Sequence, residues 1–491
     1  MKEKVFTLHW LALLALLVGL LPAQALFAQD KDMAAPGEVV AEGLNGPMGI
    51  LVDPNGDVWV VDSGLGGDEE IEGMDFSGQP VTIKYGSTAR IVKISLADGA
   101  MTDVATITSV NNGEENEGGS RLALVNGELF VTGAGWHPTV APSTAEAPIP
   151  GTGSLWRVEA DGSVSEVAPI WQLERDNNPI SAEVDTHPYG LLAAADGNLW
   201  VADAGMNALL KVDPVTGDAE IVAAFDPVPG VFPNPAYDNE MLTDAVPTGV
   251  AVADGVTYVS YLPGAPFIPG SAKVVSVAED GSVSDYATGL SMLTDLRTGP
   301  DGMLYATQLG LVTEQGPVPN SGAVIRIKAG DASEVVIPNL MFPTSIDFNA
   351  DGDAFVTVNG VGAPGSGQVV KFAGLTDMAG APVAAAMAAM APPAEETMQA
   401  APTEEAMAET TPTAETMQAA PTEEAVTAEQ TPTVETMQAA PTEEAVTAEQ
   451  TPAVMPVTGA DAGERSNAIL VVIAFLVLLT GAILFGQRQA A

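Results

Sequence analysis

Between residues 187 and 213 the chain alternates short apolar runs with turns: HPYGLLAAADGNLWVADAGMNALLKVD. Residues 191–194 are apolar, and Ala195-Asp196-Gly197-Asn198 is a turn, because Asp and Gly accept the backbone angles of a tight hairpin. Residues 199–203 alternate around Trp200, residues 209–213 follow, and Pro214-Val215-Thr216-Gly217 leads into a last run at 219–223. The pattern predicts four antiparallel strands in about 40 residues, the size of one propeller blade.

The same pattern opens again at Gly46-Pro47-Met48-Gly49, Ser120, Pro247-Thr248-Gly249, Leu293-Thr294-Asp295 and Pro343-Thr344-Ser345. Each repeat carries an aromatic side chain at one place in its second strand: Trp59, Phe130, Trp200, Tyr258, Tyr305 and Phe355. Large rings at a fixed position are expected to pack blade against blade. The last repeat has three strands, ending at 368–372, whereas residues 38–44 match the fourth strand of the repeat at 283–290. The reading is an all-β, six-bladed β-propeller over 37–375 whose N-terminal strand closes the ring and removes its open edges.

The two ends read differently. Lys2 and Lys4 before an apolar run, followed by small residues, predict a secretory signal peptide over 1–28. With no cysteine in the chain, the exported fold has to rely on its core rather than on disulfides. Ala, Pro, Met, Thr and Glu dominate 381–454, where near-copies begin at Glu396, Glu415 and Glu435, and this predicts a disordered, extended stalk. An apolar stretch at 468–485 is long enough for one transmembrane helix, with Arg488 on the inner side. Just before it, Met455, Pro456, Val457, Thr458 and Gly459 resemble a sortase signal of the Leu-Pro-x-Thr-Gly type. Processing by a sortase and a plain membrane anchor both follow from this end, and either places the propeller at the cell surface.

Connection lengths single out one face. Turns between first and second strands and between third and fourth are short, whereas 63–88, 134–153, 262–271, 309–322 and the inter-blade segments 108–119, 171–186 and 226–246 are long. Long loops over a rigid scaffold are where function concentrates. The residues opening each first strand are expected to ring the channel on that face: Met48, Ser120, Tyr189, Thr248, Thr294 and Thr344, with Glu117, Arg121, Asp185, Asp295 and Arg297 beside them. None of the six is Asp, Glu or Asn, which a calcium or other divalent cation would need, although the neighbours leave a cation open. His137 and His187 fall on the same face as candidate bases or metal ligands, with packing at a strand start the plainer role for His187. The acidic runs 68–72 and 114–117 are read as solvated surface with calcium as the alternative, and Asp53-Pro54-Asn55-Gly56-Asp57 as a turn.

Charge narrows the partners. The chain carries a net −47, with 48 acidic against 13 basic residues between 30 and 380, so nucleic acid is excluded as a partner. A small molecule, neutral or cationic, or an extracellular protein is expected instead.

Pro247-Thr248-Gly249-Val250, the run Leu262-Pro263-Gly264-Ala265-Pro266-Phe267-Ile268-Pro269-Gly270-Ser271-Ala272, and Asp285-Tyr286-Ala287-Thr288-Gly289-Leu290 with Thr294-Asp295-Leu296 resemble the ScyD/ScyE family over roughly 37–375. The resemblance implies an exported bacterial six-bladed propeller, some members of which are associated with pigment biosynthesis in an accessory role, and it supplies no catalytic residues. Two functions are carried forward. One is a non-catalytic accessory or binding propeller; the other is an extracytoplasmic metal-dependent hydrolase or lyase of the gluconolactonase-like type.

Overall fold

The computed structural model describes residues 37–74, 80–113, 116–135, 149–180, 184–313 and 316–391. The expected signal peptide, most of the stalk, the five-residue motif, the apolar span, His137 and residues 114–115 lie outside them. Among the described residues no helix is long and apolar enough to cross a membrane.

Six antiparallel sheets of four or more strands follow one another along the chain as a β-propeller. The third sheet is the plainest: Pro188–Ala193, Leu199–Asp203, Ala208–Val212 and Ala219–Ala224, paired in that order. The ring closes where the sequence predicts. Glu38–Leu44 pairs antiparallel with Gly367–Phe372, so the N-terminus supplies the outer strand of the last sheet.

Every one of the six aromatics packs into the following sheet. Trp59 packs on the apolar cluster that holds Leu129 and Val131, Phe130 belongs to the one with Leu191 and Val201, and Trp200 packs on the one with Val250 and Val259. Tyr258 packs on the cluster with Leu296 and Ala306, Tyr305 shares one with Ile346 and Val356, and Phe355 shares one with Ile50 and Val60 of the first sheet. Phe130, Tyr305 and Phe355 are fully buried, each contributing on the order of 1.5–3 kcal/mol, while Trp59, Trp200 and Tyr258 are half-buried. Glycine permits the close approach along the axis. A Cβ on Gly49 would stand 2.3 Å from the Ser120 carbonyl oxygen, and one on Gly249 would stand 2.3 Å from the Leu296 nitrogen.

Several expected loops contain strands. The connection after Asp62 folds as Glu69–Met74 against Pro80–Ile94, so the third strand of the first sheet starts ten residues before the predicted Arg90. The reason is legible afterwards: Val81, Ile83 and Tyr85 alternate, and Ile83 buries against Val110, Ala134 and Ile149. The acidic residues Glu69, Glu70 and Glu72 therefore stand on a strand, with Glu70 paired to Lys84 at 3.8 Å. Asp53 forms a turn as expected, its Oδ1 accepting from the Asn55 and Asp57 amides at 2.8 and 3.0 Å.

The largest departure is at the C-terminal edge. The change of composition at Ala381 predicts an extended stalk from that point, yet Ala381–Pro382 pairs with Glu334–Leu340 and Val383–Met390 is a helix. Val383 is buried, and Ala386, Met387 and Met390 pack onto the apolar cluster shared by the fourth and fifth sheets. Alanine and methionine are good helix formers. An apolar surface at the rim gives them something to cover.

Candidate functional site

The six residues expected to ring the channel do lie at the start of their sheets, but three of them are engaged elsewhere. Thr248 donates to the Leu293 carbonyl at 2.7 Å, Thr294 to Pro343 at 3.0 Å and Thr344 to Pro47 at 2.5 Å, each in the following sheet. These hydroxyls also pair with Ser260, Thr307 and Thr357 of their own second strands. A β-bulge accompanies the first two. The first-strand register skips Met48, Tyr189, Thr248 and Thr294, which turns the unpaired residue away from the ladder. They fasten sheet to sheet, each bond worth about 1 kcal/mol net.

Below them Arg121 fills the axis, fully buried. Its guanidinium donates to the Met48 carbonyl at 2.5 Å, Ser120 at 2.7 Å, Thr344 at 2.9 Å and Thr294. Nε stands 3.2 Å from Asp295 Oδ1, and the Tyr189 ring lies 4.7 Å from the guanidinium carbon. Five of the six sheets thus meet at one side chain. Asp295 Oδ2 in turn accepts from the Ser345 hydroxyl at 2.5 Å and the Ile346 amide at 3.3 Å. Arg121 and Asp295, expected at the mouth, are the plug of the ring.

Two residues upstream of the six stand Gly46, Gly118, His187, Val246, Met292 and Phe342. Val246, Met292 and Phe342 are buried together with Leu262, Phe267 and Leu309 in an apolar collar. All three adopt left-handed backbone, with φ of 50°, 40° and 42°. Such angles cost roughly 1–3 kcal/mol each in a bulky residue, which burial of the side chain offsets at about 1.5–3 kcal/mol. On the other half of the face, Gly46 and Gly118 have no side chain and His187 is polar. There a cleft open to solvent is lined by Asn45, Gly46, Met48, Asn116, Glu117, Gly118, Ser120, His187, Tyr189 and Val361, among others.

Glu117 and His187 define its chemistry. Glu117 is 9% exposed, and its Oε2 accepts from the Gly135 amide at 3.2 Å. A Cβ on Gly135 would lie 2.9 Å from that oxygen and 3.2 Å from His187 Cγ, so carboxylate and imidazole flank the same point. The His187 ring meets Tyr189 edge-on at 5.4 Å. Its backbone amide is held at 2.8 Å by Asp203 Oδ1. Burial raises the Asp203 carboxyl to about 6. Beneath it Glu174, on the helix Ile170–Asn177, is raised to about 8 by burial and by the charge of Asp203. Glu174 accepts from the Thr186 hydroxyl and from the Asp185 amide at 3.2 Å. The chain around His187 is thereby fixed from below.

Of the predicted site residues, Met48, Ser120, His187 and Tyr189 come together at the cleft, while Thr248, Thr294 and Thr344 go to the seams. Glu117, named only as a neighbour in the sequence, is the one carboxylate lining it among the described residues. The signal that locates the cleft is the aligned position two residues before each first-strand opener, where three repeats carry Val, Met or Phe and three carry Gly or His. Among the described residues no three His, Asp or Glu side chains converge as a metal site. The donors expected for calcium are dispersed: Asp295 is engaged by Arg121, and Glu69, Glu70 and Glu72 lie along a strand.

No family model matches the chain, and no curated protein matches it either. The ScyD/ScyE resemblance therefore stands on the quoted residues alone. Solved structures similar to it include a putative oxidoreductase (glucose dehydrogenase) from Thermus thermophilus, 15% identical with a TM-score of 0.41 over 69% of this chain and 99% of that one. A virginiamycin B lyase from Staphylococcus aureus is 14% identical, with a TM-score of 0.37 over 69% and 98%. A gluconolactonase from Xanthomonas campestris is 11% identical, with a TM-score of 0.35 over 69% and 99%.

Proposed function

We propose that the chain is an exported six-bladed β-propeller, displayed at the cell surface on its Pro/Thr/Glu stalk, that binds a small neutral or cationic molecule in the cleft over Tyr189. The observation that carries this is the split collar. Three repeats close the mouth with Val246, Met292 and Phe342, and three leave it open at Gly46, Gly118 and His187. Glu117 and Asn116 supply polar recognition and Tyr189 an aromatic floor, the mixture expected of a small-molecule site. The surrounding negative charge favours a ligand that is not an anion. An accessory, non-catalytic role of the ScyD/ScyE kind agrees with an axis occupied by Arg121.

A thermal-shift screen of neutral sugar-like and aromatic compounds tests the reading. Stabilising compounds should lose their effect in Glu117→Gln and His187→Ala. Compounds whose effect survives both substitutions would place binding elsewhere. Display is tested separately by mass spectrometry of surface material: a terminus at Thr458 linked to an amine marks sortase transfer, and peptides beyond Gly459 mark an anchor that is retained.

One observation favours a second reading, a hydrolase or lyase: Glu117 and His187 flank one point, as an acid–base pair would. Turnover of a lactone or ester that disappears in His187→Ala would establish it. A divalent cation that saturates the protein and is lost in Glu117→Gln would add the metal-dependent form.

A further inference from the structure

The helix Val383–Met390 meets the rim through Val383, Ala386, Met387 and Met390, the spacing of one helix face. Both methionine sulfurs on that face accept hydrogen bonds from the propeller. Gln308 Nε2 donates to Met387 Sδ at 2.9 Å, and the Asn339 amide donates to Met390 Sδ at 3.4 Å. Gln308 is fully buried, and its side-chain oxygen has no partner. Its carboxamide therefore relies on Met387, and a thioether is a weak acceptor.

The helix is lightly held. Its N-terminus has no side-chain cap, and the strand leading into it, Ala381–Pro382, pairs with Glu334 and Val335 alone. The Val383 amide adds one bond to the Ser333 carbonyl at 3.3 Å. Met387 and Met390 are half-buried, and the alanines at 384, 385, 388 and 389 beside them are exposed. With no cysteine in the chain, methionine is its only sulfur. These two sulfurs hold an element in place within reach of solvent, whereas Met206 and Met292 are enclosed by the core.

We propose that Met387 and Met390 are an oxidation site, and that their conversion to sulfoxides unlatches the helix from the propeller. The oxidant is a hydroperoxide. A sulfur lone pair attacks the peroxide, the S–O bond forms as the O–O bond breaks, and hydrogen peroxide leaves as water. Sulfur gives up two electrons and the peroxide takes them. The product is a polar side chain where an apolar one packed. An oxygen on the Gln308 side of Met387 does not fit within the 2.9 Å contact, and one on the outer side draws the side chain toward water. Either way the helix loosens, baring the apolar rim and the edge of Glu334–Leu340. The site is separate from the cleft and does not depend on its ligand.

The test treats the full chain with hydrogen peroxide and follows it by peptide mass spectrometry and amide hydrogen exchange. Sulfoxide is expected at Met387 and Met390 at doses that also oxidise the exposed Met101, Met241 and Met303 and spare Met206 and Met292. Exchange over 383–390 should become on the order of tenfold faster, while Leu199–Asp203 and Ala208–Val212 keep their protection. Met387→Leu combined with Met390→Leu nearly conserves volume and removes both sulfurs, so peroxide should then leave exchange over 383–390 unchanged. If that variant does not fold, the wild-type comparison alone decides. Sulfoxides formed without faster exchange overturn the inference, as do Met387 and Met390 left reduced while the exposed methionines react. The same acceleration in the leucine variant overturns it too.

Discussion

Thr344 donates across the ring closure to the Pro47 carbonyl while pairing with Thr357. Replacing it with valine keeps the shape, removes the donor and leaves a buried carbonyl short of a partner, so Thr344→Val should cost about 1–3 kcal/mol in denaturant unfolding. Free, ligand-facing hydroxyls would cost almost nothing to replace. Residue type alone could not separate these roles. Threonine at a strand opener reads equally as a ligand contact or a seam fastener, and only the packing of sheet against sheet, invisible in the sequence, decides which.

Glu174 makes a second prediction at this scale. Its folded value of about 8 lies above the ordinary 4.5, and Asp203 at about 6 lies above 3.8. The folded state therefore keeps protons that the unfolded chain releases. The contribution is fully present below the unfolded values and is lost as pH rises through the folded ones, so stability should fall between about pH 4.5 and 8. Glu174→Gln should flatten that slope, measured as denaturation midpoints at pH 5 and pH 8. An unchanged slope would mean that the pair is not protonated in the fold.

Among elements, the closing strand was readable because 38–44 repeats the pattern of 283–290, and the aromatic positions were readable because alternation and turns set their spacing. The helix Val383–Met390 was not. Its Ala/Met composition matches the adjoining linker, and what orders it is the apolar rim of the fourth and fifth sheets. Two truncations follow. A fragment beginning at Asn45 should unfold several kcal/mol more easily than one beginning at Gly37, since the outer strand of the last sheet is lost with Leu44. Equal melting temperatures would contradict closure by this strand. Ending the chain at Gly380 rather than Ala391 should also destabilise it, by about 2–4 kcal/mol, because Val383, Met387 and Met390 no longer cover the rim.

On the scale of the molecule, the ring is uniform in its seams and asymmetric in its mouth. Repetition of one blade pattern made the all-β architecture legible from turns and apolar runs. The asymmetry lies in six single residues, three bulky and three small or polar, whose meaning depends on which sheets are neighbours in space. Glu117 shows the same limit, because its place beside His187 depends on the packing of loops from separate sheets. The claim that function sits in that open half is tested most directly by soaking crystals with neutral aromatic and sugar-like fragments. Fragment density lodged over Tyr189 between Glu117 and His187, and absent over Val246, Met292 and Phe342, is the predicted result. Fragments that gather on the closed half, or that leave this cleft empty while occupying another surface, would contradict it.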